Sequence, residues 1–127
     1  MSVTILVMDD DSYMRELLGL HLCDAGYEVL LAEDAIVAGH LLLERRVDLF
    51  VADIEVPYMN GLELVRAMRN DPSLSSMPVI FVTSDEEHAG RARELGAVGF
   101  LRKPVRADDL LATVAKHVSR RRVTETV

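Results

Sequence analysis

Cysteine, tryptophan and long apolar runs are scarce in this chain of 127 residues. It has one cysteine, Cys23, no tryptophan, and only 5% aromatic residues. A single cysteine cannot form an internal disulfide, which fits a reducing compartment. Apolar runs such as Val3–Met8 are far shorter than the roughly 20 residues of a membrane span, and no basic segment of a secretory signal precedes the first of them. We therefore expect a cytoplasmic protein with no membrane segment.

The chain is acidic, and its charge is unevenly distributed. The formal net charge is −7. Residues 1–101 contain 7 basic and 18 acidic side chains, whereas residues 102–127 contain 7 basic and 3 acidic ones. Because phosphate backbones favour clustered lysine and arginine, the acidic body disfavours direct nucleic-acid binding. We interpret residues 1–120 as one domain and 121–127 as a basic C-terminal tail or a truncated linker.

Short apolar runs alternate along the chain with segments of helical periodicity. The runs predict strands at residues 3–8, 27–31, 47–52, 78–83 and 98–101. Helices are predicted from Ser12, which would cap the first, from Asp34, which would cap the second, and over residues 62–68, 85–95 and 107–118. Buried strands separated by crossover helices predict an α/β fold, with a parallel sheet covered by helices on both faces.

Polar residues follow four of the five predicted strands. Asp9, Asp10 and Asp11 follow the first strand, Asp53 the third, Thr83 ends the fourth, and Lys103 follows the fifth. The carboxyl ends of parallel strands meet at one edge of the sheet, so we expect these side chains to converge. Clustered carboxylates without cysteine or histidine favour a hard cation such as Mg²⁺. A lysine and a hydroxyl suit phosphoryl oxygens, and a carboxylate can be the nucleophile, so the pattern predicts phosphoryl transfer onto an aspartate.

These residues lie in five segments that together resemble a response-regulator receiver domain of the chemotaxis type. The segments occur in that family's order and spacing, and the resemblance covers essentially residues 3–120. They are residues 5–11, 47–53, 57–61, 78–83 and 96–104. The resemblance implies a flavodoxin-like three-layer sandwich, in which a five-stranded parallel sheet of order 2-1-3-4-5 is flanked by five helices.

The resemblance also implies a role for each site residue. Asp53 would accept a phosphoryl group from a sensor histidine kinase or a phosphotransfer protein. The Mg²⁺ ligands would be Asp9, Asp10, Asp53 and the backbone carbonyl of Glu55. Thr83 and Lys103 would bind phosphoryl oxygens, Thr83 and Phe100 would form the switch, and Glu55 and Asp85 would tune dephosphorylation. The signal would pass from the surface near Phe100 to a downstream output protein, or to a fused output domain missing from this chain.

Such a domain would be a phosphoacceptor switch rather than an enzyme, because it would catalyse only its own phosphorylation and dephosphorylation. One alternative is an Asp-nucleophile phosphatase of the haloacid dehalogenase type, whose Asp-x-Asp motif Asp9 and Asp11 satisfy superficially; Tyr13 stands where that motif continues with threonine or valine. A second alternative is a pseudo-receiver that is never phosphorylated. A flavin-binding module is disfavoured, because the loop after the first strand is acidic where a phosphate cradle would need glycine and hydroxyl groups.

Overall fold

Strands and helices alternate strictly in the computed structural model, which describes the backbone of residues 2–126 and the side chains of residues 2–118. Within that part of the chain there are five strands: β1 (Thr4–Met8), β2 (Glu28–Ala32), β3 (Leu49–Asp53), β4 (Val79–Thr83) and β5 (Gly99–Arg102). The α-helices are α1 (Ser12–Asp24), α2 (Ala35–Glu44), α3 (Gly61–Arg69), α4 (Ala89–Glu94) and α5 (Ala107–Thr126). A 3-10 turn, Glu86–His88, directly precedes α4.

All five strands are parallel and lie in the order β2-β1-β3-β4-β5. This confirms the sheet order that the family resemblance implied. The register pairs Met8 with Ala52 and Asp53 with Val82, so β1, β3 and β4 end at nearly the same level of the sheet. The residues that follow these strands are therefore brought to one edge of the sheet.

The sheet is the middle layer of three. Alternate side chains of its buried strands point to opposite faces, as the period of two in a strand requires. Phe50 and Phe81 pack in a cluster with residues of α2 and α3, whereas Val51 and Ile80 pack in a second cluster with residues of α1 and α5. Every residue of β3 and β4 is buried. The continuous apolar runs in the sequence reflect this coverage on both faces.

Two local predictions were wrong. Ser12 does not cap α1; the cap is Asp11, whose carboxylate accepts hydrogen bonds from the amides of Tyr13 and Met14. The predicted continuous helix over 85–95 is instead the 3-10 turn followed by the six residues of α4. This segment has little to bury, since Ala92 is the only residue of α4 that is buried. Asp34 does cap α2 as predicted, through a bond from the Val37 amide.

Helix α5 continues past its predicted end at Val118 to Thr126. The proposed tail or linker, 121–127, lies outside the residues whose side chains are described, so this interpretation stays a prediction. Over the described residues, no helix combines the length and apolar character needed to cross a membrane.

Candidate functional site

An acidic loop follows β1, and hydrogen bonds to its backbone amides and carbonyls hold it in place. Asp9 is buried, and its Oδ1 accepts a hydrogen bond of 2.9 Å from the Asp11 amide. The Arg15 guanidinium, one turn into α1, donates to the Asp9 carbonyl at 2.9 Å. The Asp11 carboxylate caps α1, so Asp9 and the exposed Asp10 are the acids of this loop that remain available to the site.

Asp53, the last residue of β3, is also buried, with 2% of its surface exposed. Its Oδ2 accepts a hydrogen bond of 2.9 Å from Lys103 Nζ, and its Oδ1 accepts one of 3.3 Å from the Glu55 amide. The backbone behind it is tightly packed: the Gly61 amide donates to the Ile54 carbonyl at 2.7 Å, and a Cβ on Gly61 would lie 2.5 Å from the Asp53 carbonyl oxygen. Only glycine fits there without displacing the end of β3.

Lys103 brings a single positive charge between the two buried acids. Its Nζ lies 2.9 Å from Asp53 Oδ2 and 3.3 Å from Asp9 Oδ2. The loop that carries it is fixed to β4, because the Lys103 amide donates to the Thr83 carbonyl at 2.8 Å. The Lys103–Pro104 peptide bond that follows is cis. Residues 94 positions apart in the sequence, Asp9 and Lys103, thus form one pocket.

Burial and neighbouring charges shift the pKa values of this pocket. Burial is the largest influence on Asp53 and raises its pKa from 3.8 to about 6; the Asp9 charge adds to the rise, and the hydrogen bonds from Lys103 and the Glu55 amide oppose it. For Lys103, burial acts to lower the pKa, but the hydrogen bond and charge of Asp53 and the charge of Asp9 outweigh it and raise the pKa above its usual value. The pocket has more negative charge than Lys103 alone can balance.

The donor set fits a divalent metal ion. Carboxylate oxygens of Asp9, Asp10 and Asp53 all lie within 4.8 Å of one another. Asp9 Oδ2 is buried and makes no hydrogen bond with the described residues; it faces Lys103 only as an ion pair. A buried carboxylate oxygen without a hydrogen bond is costly unless a cation compensates it. Mg²⁺ prefers oxygen ligands, is usually bound through one or two carboxylates and keeps several of its waters. The carboxylate oxygens of this site match that preference, and the exposed Asp10 leaves room for water.

Thr83 reaches the same edge of the sheet but does not bond to Asp53. Its hydroxyl is fully buried and donates to Glu55 Oε1 at 3.2 Å, while its oxygen accepts a hydrogen bond of 3.1 Å from the Asp85 amide. The Asp85 carboxylate accepts from the Glu87 amide at 2.9 Å and caps the 3-10 turn. Of the expected phosphoryl-binding pair, Lys103 therefore contacts Asp53 directly, and Thr83 contacts Glu55 instead.

Phe100 lies farther from the carboxylates, on β5. It is half-buried, packs against the cluster formed with α2 and α3, and is the register partner of Phe81 on β4. Two residues later in the register, Thr83 pairs with Arg102. Phe100 and Thr83 are thus connected through the paired strands β4 and β5.

Two residues near the site were missed in the sequence. Arg15 holds the Asp9 carbonyl, and His88 places Nε2 3.8 Å from Glu55 Oε1. Arg15 lies six residues after Asp9, so a helix starting at the acidic loop could have pointed to it. No sequence signal identified His88, because its contact depends on the 3-10 turn that was predicted as helix.

Comparisons with known proteins agree with this geometry. The family model for the response regulator receiver domain matches residues 5–115. The phosphate regulon transcriptional regulatory protein PhoB of Pseudomonas aeruginosa is 34% identical over 120 residues, which are 93% of this chain and 52% of that protein. Response regulator MprA of Mycobacterium bovis is 37% identical over 114 residues, 88% of this chain and 49% of that protein. The chain spans about half the length of these relatives.

Solved structures show the same fold. A CheY-like receiver domain protein from Methanospirillum hungatei superposes with a TM-score of 0.90 at 26% identity, covering 98% of this chain and 99% of that one. The chemotaxis protein CheY4 of Vibrio cholerae gives a TM-score of 0.86 at 30% identity, covering 92% and 99%. With the family model spanning most of its length, this chain belongs to the response regulator receiver domains of two-component signalling, a family of signalling switches rather than enzymes in the ordinary sense.

Proposed function

We propose that this chain is a phosphoacceptor switch in which Asp53 takes a phosphoryl group from a phosphohistidine of a sensor histidine kinase or phosphotransfer protein. The observation that carries the proposal is the contact of Asp53 with Lys103 inside a pocket of three carboxylates. Three acids around a single lysine provide a nucleophilic oxygen, a cation site and a cationic ligand for the incoming group. Each of these would favour phosphoryl transfer onto a carboxylate.

In the proposed step, an oxygen of the Asp53 carboxylate attacks phosphorus, and the bond from phosphorus to the donor imidazole nitrogen breaks. The electron pair of that bond returns to the imidazole, and the product on this chain is an acyl phosphate. Lys103, which now donates to Asp53, would donate to a phosphoryl oxygen, and the Thr83 hydroxyl would donate to another. Mg²⁺, when bound by Asp9, Asp10, Asp53 and the Glu55 carbonyl, would neutralise charge on the transferred group.

The output of the switch would leave through Phe100 and the surface around α4, β5 and α5. Thr83 and Phe100 stand on neighbouring strands, so a movement of Thr83 toward the phosphoryl group would change the packing beside Phe100. A local charge change would then bias a two-state element. The recipient would be a downstream protein or an output domain fused to the receiver. Half the length of the relatives named above lies beyond the region that matches this chain, which supports the second arrangement.

The phosphatase alternative is less well supported by the site. An Asp-x-Asp enzyme would need both Asp9 and Asp11, but the Asp11 carboxylate is engaged by two amides at the start of α1. Asp9 Oδ1 is engaged by the Asp11 amide. The best placed nucleophile is therefore Asp53 on β3 rather than an acid on β1. We propose that Glu55 and Asp85, which flank Thr83, influence the lifetime of the acyl phosphate.

The proposal is tested by incubating the protein with acetyl phosphate or phosphoramidate and Mg²⁺, followed by intact-mass analysis. We expect one added phosphoryl group per chain, none with Asp53→Asn, and none after chelation of the metal. Asp11→Asn is the matched control, because asparagine still caps α1 and the variant should be modified like the wild type. Failure to modify the wild type would favour a pseudo-receiver. Sustained release of phosphate from a phosphomonoester would favour the phosphatase.

A further inference from the structure

The hydroxyl proton of Thr83 is already donated to a hydrogen bond with Glu55. A threonine hydroxyl has one proton to donate, although its oxygen can accept as well. The structure shows that proton donated to Glu55 Oε1 at 3.2 Å, while the oxygen accepts from the Asp85 amide at 3.1 Å. Thr83 cannot donate to an oxygen on Asp53 until its bond to Glu55 is broken.

A second group lies beside the Glu55 carboxylate, at a distance that allows an ion pair when the imidazole is protonated but no hydrogen bond. His88 Nε2 lies 3.8 Å from the same Oε1 that accepts from Thr83. The Glu55 carboxylate is therefore flanked by Thr83 at the end of β4 and by His88 in the 3-10 turn that follows. Its backbone is also tied to the reacting residue, because the Glu55 amide donates to Asp53 Oδ1.

We infer that Glu55 is a positioning residue that restrains the Thr83 hydroxyl in the unphosphorylated state, with His88 supporting the carboxylate. This inference rests on the function proposed above. Loading of Asp53 then exchanges one hydrogen bond for another: Thr83 releases Glu55 and donates to the phosphoryl oxygen. A restraint that favours the unloaded state lowers the affinity for any phosphoryl-like group, because that affinity is reduced by the fraction of molecules in which Thr83 is free.

The restraint can be measured with beryllium fluoride, which imitates a phosphoryl group on a carboxylate, at saturating Mg²⁺. We expect Glu55→Ala to bind it about three- to tenfold more tightly than the wild type, the range for loss of one competing hydrogen bond. Glu87→Ala is the matched control, since it removes an exposed carboxylate four residues after Thr83 that makes no hydrogen bond or ion pair with the side chains described. That variant should bind like the wild type.

A second variant separates the hydrogen bond from charge. Glu55→Gln removes the negative charge but keeps an oxygen that can accept from Thr83, so its affinity should rise by less than that of Glu55→Ala. High salt, which screens the half-exposed Glu55 charge, should leave this order unchanged. If Glu55→Gln binds as tightly as Glu55→Ala, the effect is simple repulsion and the restraint is refuted. Equal affinities of Glu55→Ala and wild type would also overturn it.

The Asp85 amide provides a direct spectroscopic signal, because it donates to the Thr83 hydroxyl oxygen. In Glu55→Ala without ligand, its NMR resonance should move toward the position found in the beryllium fluoride complex; an unmoved resonance contradicts the inference.

His88→Ala should tighten binding less than Glu55→Ala, and should have no effect in the Glu55→Ala background. A wild-type protein that does not bind beryllium fluoride at all would instead refute the proposed function.

Discussion

Lys103 and Asp53 are joined by a hydrogen bond of 2.9 Å across 50 residues of sequence. The same ammonium also faces Asp9, so one lysine forms ion pairs with two buried carboxylates. In the absence of a metal ion, Lys103 thus acts as the internal cation of the pocket. A divalent ion bound by the three carboxylates would add charge that this single lysine cannot supply, and Lys103 would then be able to contact a second anionic group.

Replacing Lys103 by methionine is expected to raise the pKa of Asp53 above its value of about 6. The reason is that Lys103 lowers this pKa through both its hydrogen bond and its charge, and both are lost. The measurement is a carboxyl-carbon NMR titration in the presence of a chelator. Lys116→Met, on the exposed side of α5, is the control and should leave Asp53 unchanged. A fall of the Asp53 pKa would contradict this description of the pocket.

Asp53 should also make the protein less stable as the pH rises from about 4 to about 6 without metal. Its pKa is raised from 3.8 to about 6 on folding, so in this window the folded state binds more protons than the unfolded state. The free energy of unfolding then falls with increasing pH. Chemical denaturation across this pH range should show that slope, and Asp53→Asn should flatten it and unfold at higher denaturant concentration at pH 7. An unchanged slope in this variant would assign the effect to other groups.

Mg²⁺ is expected to stabilise the folded protein through the carboxylate pocket. At about 100 times the dissociation constant, a ligand that binds only the folded state adds about 2.7 kcal/mol to the free energy of unfolding. Thermal unfolding with and without Mg²⁺ should show this gain in the wild type and in Asp11→Asn. The gain should be much smaller in Asp10→Asn, because Asp10 contributes one of the three clustered carboxylates. Equal gains in Asp10→Asn and the wild type would place the ion elsewhere.

Gly61→Ala should destabilise the protein by about 1–3 kcal/mol, the usual cost of forcing an extra methyl into a packed site. The added Cβ would lie 2.5 Å from the Asp53 carbonyl oxygen, so relief requires movement of the backbone that carries Asp53. Gly39→Ala in α2 is the matched substitution, since nothing lies within 4 Å of its added Cβ. It should be stabilising by about 0.5–1 kcal/mol, as alanine is favoured over glycine within helices. Urea denaturation of the two variants gives both values.

Much of this architecture could be predicted from the sequence, because its signals are local and agree with one another. The fully buried strands β3 and β4 contain the apolar runs 49–52 and 79–82, which predict buried strands. The order of the strands, which the family resemblance implied, was confirmed. The convergence of Asp53 and Lys103 followed from the rule that parallel strands end at one edge of the sheet. The prediction that these side chains converge needs only the positions of the strands, and those are set by apolar periodicity.

The contacts of Thr83 could not be predicted in the same way. Periodicity places its side chain at the end of β4, but the choice between Asp53 and Glu55 as hydrogen-bond acceptor depends on side-chain rotamers and distances. His88 was missed for a related reason: a polar segment with one buried alanine has little periodicity, so its 3-10 turn could not be distinguished from an α-helix. The cap of α1 was displaced by one residue because Asp11 and Ser12 are both good capping residues.

Strand β2 lies at the outer edge of the sheet, and neither it nor α2 contributes a carboxylate, hydroxyl or ammonium to the pocket. The neighbourhood of β2 is therefore a suitable place for a reporter. A small fluorescent or epitope insertion at the exposed turn near residues 45 and 46 should leave the pocket intact, because exposed turns tolerate inserted chain. A label placed there would mark the domain on a side of the molecule that contributes no residue to the cluster of Asp9, Asp10 and Asp53.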